Sequence, residues 1–254
     1  FLSIFQYPLV EQFLPALRRT AIFFLGNYAM VFLLGVPLAL FMFEFERKFP
    51  LTKNFFYTII FLPWMISPFG IGLIIILLFS QDTGSLNLLF QDWGWLAEPL
   101  NVKRAETTRI LLPILVGWRA AGFNMAIFLV GLLSLDQDTL DAADVDGCSY
   151  LQKVFRVYLP QMIPNVVMAT IFCLMGSFAL FDVVVGLGGL RGNPAARFLS
   201  IVIYELGFKG GQGENTGMLG TMAEGVAVQL TVFVPLMILA VVLNRYQRRL
   251  DYRK

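Results

Sequence analysis

The chain has 254 residues, of which 57% are hydrophobic and 14% charged, and its mean hydropathy of +0.72 lies outside the range of soluble globular domains. A net charge of +2, with no basic run interleaved with aromatics, excludes nucleic acid as a partner, and the absence of histidine removes His-ligated metals and His general bases. The composition belongs in a lipid bilayer.

The opening residues lack the basic, apolar, then small-residue order of a signal peptide. Stretches of roughly 20 mostly apolar residues, enough to cross the hydrocarbon, are predicted at 21–43, 55–79, 110–135, 164–185 and 218–243. The tail 244–254 is the strongest basic cluster, so by the positive-inside tendency it faces the cytoplasm. The connection 44–54, with Arg47, Lys48 and Lys53, and the polar segment 136–163 then share that side. The N-terminus falls outside, a placement that fits a further span upstream of Phe1. Within 55–79, Pro63 and Pro68 predict a kink, and Trp64 beside it is expected to pack rather than bind ligand. The longer external connections are 80–109 and 186–217, and 85–92 carries Leu86, Leu89 and Phe90 in the pattern of a short interfacial helix. The two cysteines, Cys148 in the polar segment and Cys173 in an apolar one, are not set for a disulfide. All of this reads as one membrane domain over 1–254.

The polar segment is too hydrophilic to cross a bilayer and too patterned for a linker. Thr139 to Val145 is predicted helical, with Asp138 as its N-cap. Gly147 allows a sharp turn, and Ser149 can cap a second helix in which Leu151, Val154, Phe155 and Tyr158 form one apolar face. Pro160 is expected to end that helix, and Pro164 suits the first turn of the next span.

Arg119 lies within the third span and Glu224 within the fifth, each costing about 2.5 to 3.5 kcal/mol at a helix centre. Both sit toward the outer ends, so they snorkel, pair with each other, or contact a polar substrate. The fourth stretch adds Cys173, Ser177, Leu180 and Asp182, with Ser177 and Leu180 on a shared face by helical spacing. Ser177 can instead bond its own backbone carbonyl, and Asp182 can sit in interfacial water. No Gly-x-x-x-x-Gly-Lys-Ser/Thr loop is present to cradle nucleotide phosphates.

Asp141-Ala142-Ala143, then Gly147, then Val157 and Leu159-Pro160 resemble the EAA loop of membrane subunits from binding-protein-dependent ABC importers. Asp141 stands where that family usually has Glu, and Val157 where it has Ile. The resemblance covers nearly the whole chain, through Ala16-Leu-Arg-Arg-Thr20, Phe61-Leu-Pro-Trp64, Gly117-Trp118 with Phe123-Asn-Met125, Ser177-Phe-Ala-Leu-Phe-Asp182 and Tyr204-Glu-Leu-Gly-Phe208 before a glycine-rich turn. These segments are similar to the carbohydrate-uptake branch, maltose-type permeases in particular. Leu187-Gly-Gly-Leu-Arg-Gly-Asn-Pro194 departs from that branch's Thr-Gly-Gly-Gly-Pro segment.

The resemblance implies an all-α polytopic bundle of the type I ABC importer permease fold with a cytoplasmic coupling helix. It implies a non-catalytic sugar or oligosaccharide permease in the bacterial inner membrane, with neutral and acidic saccharides both open. The implied partners are a second, homologous permease, two ATP-binding cassette subunits that hold the ATP and Mg, and an extracytoplasmic solute-binding protein. The coupling residues would be Asp141, Ala142, Ala143, Gly147, Leu151, Phe155, Leu159 and Pro160. Arg119, Ala120 and Phe123, together with Cys173, Ser177, Leu180, Asp182 and Glu224, would line the pathway. The competing readings are a secondary transporter or channel, which needs more intramembrane ionisable groups than these, and an intramembrane enzyme, for which no nucleophile motif or paired carboxylates are present.

Overall fold

The computed structural model describes residues 9–191, 193–209 and 222–251, and all regular structure among them is helical. In chain order the helices are α1 (Leu9–Met30), α2 (Val36–Lys48), α3 (Lys53–Phe61), α4 (Pro68–Phe79), α5 (Ser85–Asp92), α6 (Ala105–Leu133), α7 (Gln137–Val145), α8 (Tyr150–Lys153), α9 (Leu159–Gln161), α10 (Ile163–Phe178), α11 (Phe181–Gly186), α12 (Leu199–Tyr204) and α13 (Met222–Asp251). A π turn, Val31–Gly35, joins α1 to α2, so that Phe13–Lys48 runs on as one long apolar element. With Ala105–Leu133 and Gly225–Leu243, it makes three helices long and apolar enough to cross a membrane among the described residues. Two bent pairs, Lys53–Met65 with Pro68–Phe79 and Tyr150–Gln161 with Ile163–Phe178, raise the number to as many as five; the second pair overlaps the expected stretch 164–185 only up to Phe178 and takes in residues of the expected polar segment. The start of the stretch expected at 218–243, and the glycine-rich turn before it, lie outside the described residues.

Each bend has a local cause. The chain tightens to a 3-10 turn at Leu62–Met65, and α4 restarts with Pro68 in its first turn and the Ser67 hydroxyl accepting the Gly70 N–H at 3.1 Å. The kink expected from Pro63 and Pro68 is thus present. The second bend, 66° between Tyr150–Gln161 and Ile163–Phe178, falls at Met162. Pro160 does not end the helix there. It lies inside the short turn α9, and the break comes after Gln161, with Pro164 in the first turn of α10 as expected.

The stretch expected as one span at 164–185 is also interrupted. α10 stops at Phe178, Leu180 takes φ −75°, ψ 40°, and α11 begins at Phe181. Gly176 and Ser177, both weak helix formers, stand where the helix gives out. Ser177 and Leu180 therefore share no helical face. Leu180 packs instead into an apolar core with Val183, Val184 and Leu187.

Internal contacts divide the chain into two compact units. The first comprises Phe1–Asn27, Ile66–Val116 and Leu174–Ile238. Its core joins Ile71, Ile75 and Phe79 of α4 to Val183, Val184 and Leu187, and Phe23 meets Phe198 edge to face at 6.1 Å. Arg19 donates to the Pro194 carbonyl at 2.6 Å, and Thr20 Oγ1 accepts the Leu199 N–H at 3.2 Å, tying α1 to the segment before α12. The short helix expected at 85–92 is α5, whose Leu86 and Phe90 pack on this core. Its buried Asn87 donates to the Ser80 and Leu100 carbonyls at 3.0 and 2.8 Å and accepts the Leu100 N–H at 3.0 Å. That buried amide substitutes for the backbone partners a loop otherwise lacks.

The second unit comprises Tyr28–Met65, Gly117–Cys173 and Leu239–Lys254. Here Asn165 donates to the Ile127 carbonyl at 2.7 Å, linking α10 to α6, and Tyr28 shares a 3.1 Å hydrogen bond with Thr170. Glu46 pairs with Lys53 and accepts from the Tyr57 hydroxyl at 2.9 Å, closing the turn between α2 and α3. Both cysteines are free thiols.

Candidate functional site

Two constructions in the second unit concentrate the chemistry: a polar elbow over 136–161 and an aromatic cradle around Arg119.

The elbow begins two residues earlier than the sequence suggests. Asp136, in extended backbone, is the N-cap of α7 and accepts the Asp138 N–H at 3.3 Å. Asp138 falls inside the first turn, where a carboxylate faces the positive end of the helix dipole. Gln137 donates to the Asp141 carboxylate one turn on, at 2.7 Å. Gly147 adopts φ +69° while the Cys148 N–H reaches back to the Ala143 carbonyl at 3.1 Å. A left-handed residue after the last turn is the usual way to end a helix, and it favours glycine. Ser149 is the N-cap of α8, its N–H donating to Gln152 Oε1 at 2.7 Å. Lys153 pairs with Asp144 across the turn, so each arm holds the other.

The second arm departs from the expected single apolar face. A π turn at Val154–Tyr158 adds a residue to the helical circuit and splits the face in two. Val154 and Tyr158 point inward, Tyr158 at 2% exposure against Phe43, with ring centroids 5.8 Å apart. Leu151 and Phe155 point outward, 65% and 66% exposed, and Val145 on the first arm is 87% exposed. Leu140 and Ala143 are buried and seat the elbow. Of the expected coupling residues, Asp141, Ala142, Gly147, Leu151, Phe155 and Pro160 are exposed, Leu159 is half-buried, and Ala143 belongs to the seat. The outcome is a stiff, polar-capped hairpin of helices presenting large apolar side chains to the outside.

The cradle forms where α6 passes the 3-10 turn after α3. A Cβ on Gly122 would stand 2.5 Å from the Ile60 carbonyl oxygen, so only glycine admits this approach. Arg119 and Phe123, four residues apart, share one face of α6. Trp64 stacks on Phe123 at 4.9 Å with planes 10° apart, and the Arg119 guanidinium lies 4.4 Å from the Trp64 ring centroid. Arg119 also reaches the Trp64 carbonyl at 3.5 Å, and Phe172 meets Phe123 edge on at 5.5 Å. A cation over an indole gains about 0.5–2 kcal/mol, which offsets part of the cost of placing Arg in a span. Trp64 is therefore more than packing: it holds Arg119 and stays 36% exposed. The sequence held no signal for that pairing beyond the need of Arg119 for company.

The other expected pathway residues are dispersed. Ala120 is half-buried beside Arg119, and Cys173 is buried in the same unit. Ser177, Leu180 and Asp182 belong to the first unit. The Ser177 side chain, 1% exposed, does not bond its backbone carbonyl; its hydroxyl has no hydrogen-bond partner among the described residues. Asp182 is exposed, in keeping with interfacial water. Glu224 lies on α13 with its side chain outside the described residues, so a pair with Arg119 is outside them too. Among the described residues no cluster of three or more His, Cys, Asp or Glu side chains is placed to hold a metal.

Residues 33–254 match the family model described as the binding-protein-dependent transport system inner membrane component. The probable ABC transporter permease protein y4oQ of Sinorhizobium fredii is 32% identical over 203 residues, 78% of this chain and 62% of that protein. The arabinooligosaccharides transport system permease protein AraP of Halalkalibacterium halodurans is 29% identical over 239 residues, 92% of this chain and 72% of that protein. The chain thus spans about 62–72% of the length of these relatives. A crystal structure of a bacterial ABC transporter involved in the import of the acidic polysaccharide alginate superposes with a TM-score of 0.75, at 22% identity, covering 98% of this chain and 82% of that one. At that identity the likeness carries the fold, that of an ABC importer permease of type I. The EAA-like spacing, the helical architecture and a family match over most of the chain agree, and the chain belongs to the family of binding-protein-dependent transport system inner membrane components.

Proposed function

We propose that this chain is a permease subunit of an ATP-driven importer in the bacterial inner membrane, moving a sugar or oligosaccharide handed over by an extracytoplasmic solute-binding protein. It works beside a second, homologous permease and two ATP-binding cassette subunits. Nucleotide and Mg belong to those subunits, and the chain itself catalyses no reaction.

The observation that carries this reading is the elbow. Leu151, Phe155 and Val145 project apolar surface from a segment otherwise made of capped, charged and hydrogen-bonded residues. Burying one such side chain in a partner's groove gains about 1.5–3 kcal/mol, enough for a few of them to hold a joint. A hairpin locked by the Asp144–Lys153 pair and by Gly147 transmits a rigid displacement instead of absorbing it. Closure of the ATPase subunits on ATP would then pull α10 and bias the pathway between outward and inward access.

On the pathway, the cradle supplies the substrate contact. Arg119 offers donors to a saccharide hydroxyl or carboxylate, and the exposed part of Trp64 offers an aromatic face to a sugar ring. Sugar cargo is supported by the arabinooligosaccharide permease among the relatives, and the cation favours an acidic saccharide over a neutral one.

The test is co-purification followed by site-directed crosslinking. A cysteine at Phe155 should crosslink to an ATPase subunit, and the complex should dissociate on Phe155→Asp. A Phe155→Asp chain that keeps its ATPase subunits would reject the elbow as the joint.

A further inference from the structure

Two hollows of the second unit adjoin where α2 meets the elbow. The first, about 530 Å³, is walled by Pro37, Leu40, Phe41, Phe45 and Phe49. Phe41, Phe45 and Phe49 recur every four residues and so follow one side of the helix, with neighbouring ring centroids 5.5 and 5.1 Å apart. Phe41 and Phe49 are nonetheless 49% and 55% exposed. The second hollow, about 370 Å³, is polar: Arg47 and Lys48 come from α2, and Asp144, Tyr150, Lys153 and Tyr158 from the elbow. Glu44, Lys48 and Tyr150 line both hollows, which makes them one slot with an oily half and a charged half. Glu44 acts electrostatically on Tyr150, Tyr158 and Lys153, so α2 and the elbow face each other across this space.

Charge decides what the slot suits. Lys153 is paired with Asp144, which leaves Arg47 and Lys48 against Glu44 and one positive charge in excess. Neither Arg47 nor Lys48 enters an ion pair among the described residues; Arg47 lies over the Phe43 ring, 5.8 Å from its centroid. Both stand in the last turn of α2, where the helix dipole favours cations. The dipole accounts for cations at that place but not for the aromatic trough beside them or the two tyrosines across from them. In the orientation that the basic tail sets, this end of α2 lies at the cytoplasmic face, where headgroups meet acyl chains. A single phosphodiester joined to a hydrocarbon chain matches the slot both in net charge and in the order of its polar and apolar halves.

We propose that the slot binds an anionic phospholipid of the cytoplasmic leaflet, its phosphate met by Arg47 and Lys48 and one acyl chain laid along Phe41 and Phe45. An occupant there touches α2 and both arms of the elbow at once, and so stiffens the seat of the elbow. The site depends neither on the cargo nor on the motor subunits.

The experiment is native mass spectrometry of the full chain in detergent, titrated with three compounds. They are phosphatidylglycerol, zwitterionic phosphatidylcholine, and glycerophosphoglycerol, which carries the same phosphodiester without acyl chains. Phosphatidylglycerol should bind about tenfold more tightly than phosphatidylcholine, and glycerophosphoglycerol should not displace it at equal concentration. The double variant Arg47→Gln, Lys48→Gln should remove that preference and leave phosphatidylcholine binding unchanged. Phe41→Ser should weaken both lipids alike, since it touches only the chain half. Lys103→Gln, which alters an exposed cation of the other unit, should change nothing. Bound phosphatidylglycerol should also slow amide hydrogen exchange across α7 and α8. An equal loss at Lys103 would reduce the effect to general attraction of anionic lipid and overturn the site. A preference indifferent to Arg47 and Lys48, displacement by glycerophosphoglycerol alone, or unchanged exchange in the elbow would overturn it too. Lipid held by this chain but expelled on assembly with a second permease would assign the apolar half to that subunit and likewise reject the proposal.

Discussion

The elbow and the cradle are both built at interruptions of helical structure, and they solve opposite problems. The elbow, in polar surroundings, satisfies its polar groups locally, through Asp136, Ser149, Gln152 and the Asp144–Lys153 pair, and leaves its apolar side chains outside. The cradle, within apolar surroundings, covers one costly cation with aromatic surface and a backbone carbonyl. One region leaves large hydrophobic groups exposed, and the other wraps a charge in aromatic surface. On the proposed function, the difference separates two kinds of contact: a protein partner at the elbow and a polar solute at the cradle.

The comparison is broken most severely at Phe155. Phe155→Asp places a charge where an interface core should be, and should cost at least about 2 kcal/mol, or more than tenfold in affinity for the ATPase subunit. Since Phe155 is exposed, thermal unfolding of the isolated chain in detergent should stay unchanged. Gly147→Val comes next. Nothing lies within 4 Å of a Cβ there, so the effect is backbone strain at φ +69°, about 1–2 kcal/mol, read as uncoupled ATPase activity. Arg119→Leu should blunt ATPase stimulation by uronate-loaded binding protein by about tenfold and by neutral-sugar-loaded protein much less, since charge-assisted contacts are roughly twice as strong as neutral ones. Equal loss for both cargoes would remove Arg119 from acid recognition. Trp64→Leu should lower stability through the lost stack on Phe123 and the lost cation–π contact, and only the latter share, about 0.5–2 kcal/mol, should be absent in an Arg119→Leu background. The smallest change is expected at Ser177→Ala, which removes a buried hydroxyl without a described partner and should shift stability by less than about 0.5 kcal/mol. Any transport defect in that variant would then come from the pathway.

Much of this was legible because the signals are local. Hydropathy marked the apolar helices, prolines 63 and 68 marked the first bend, and Gly147 with Ser149 marked the elbow's turn and second cap. What was missed depends on non-local contact or on helix irregularity. Period 3.6 grouped Leu151, Val154, Phe155 and Tyr158 on one face, and a π turn divided them. The same period joined Ser177 to Leu180 across a break that only the packing of Leu180 with Val183 and Val184 reveals. The pairing of Trp64 with Arg119, 55 residues apart, follows from the close approach at Gly122, which no pattern in either segment announces. Asn87 was equally silent, since its three hydrogen bonds reach residues on both sides of α5.

The central claim, that the elbow joins this membrane body to a separate motor, is tested most directly by uptake into proteoliposomes assembled with and without the ATPase subunits. The account predicts ATP-dependent accumulation of the saccharide only when those subunits are present and Phe155 and Gly147 are intact. Uptake at the same rate without any nucleotide-hydrolysing subunit would contradict it.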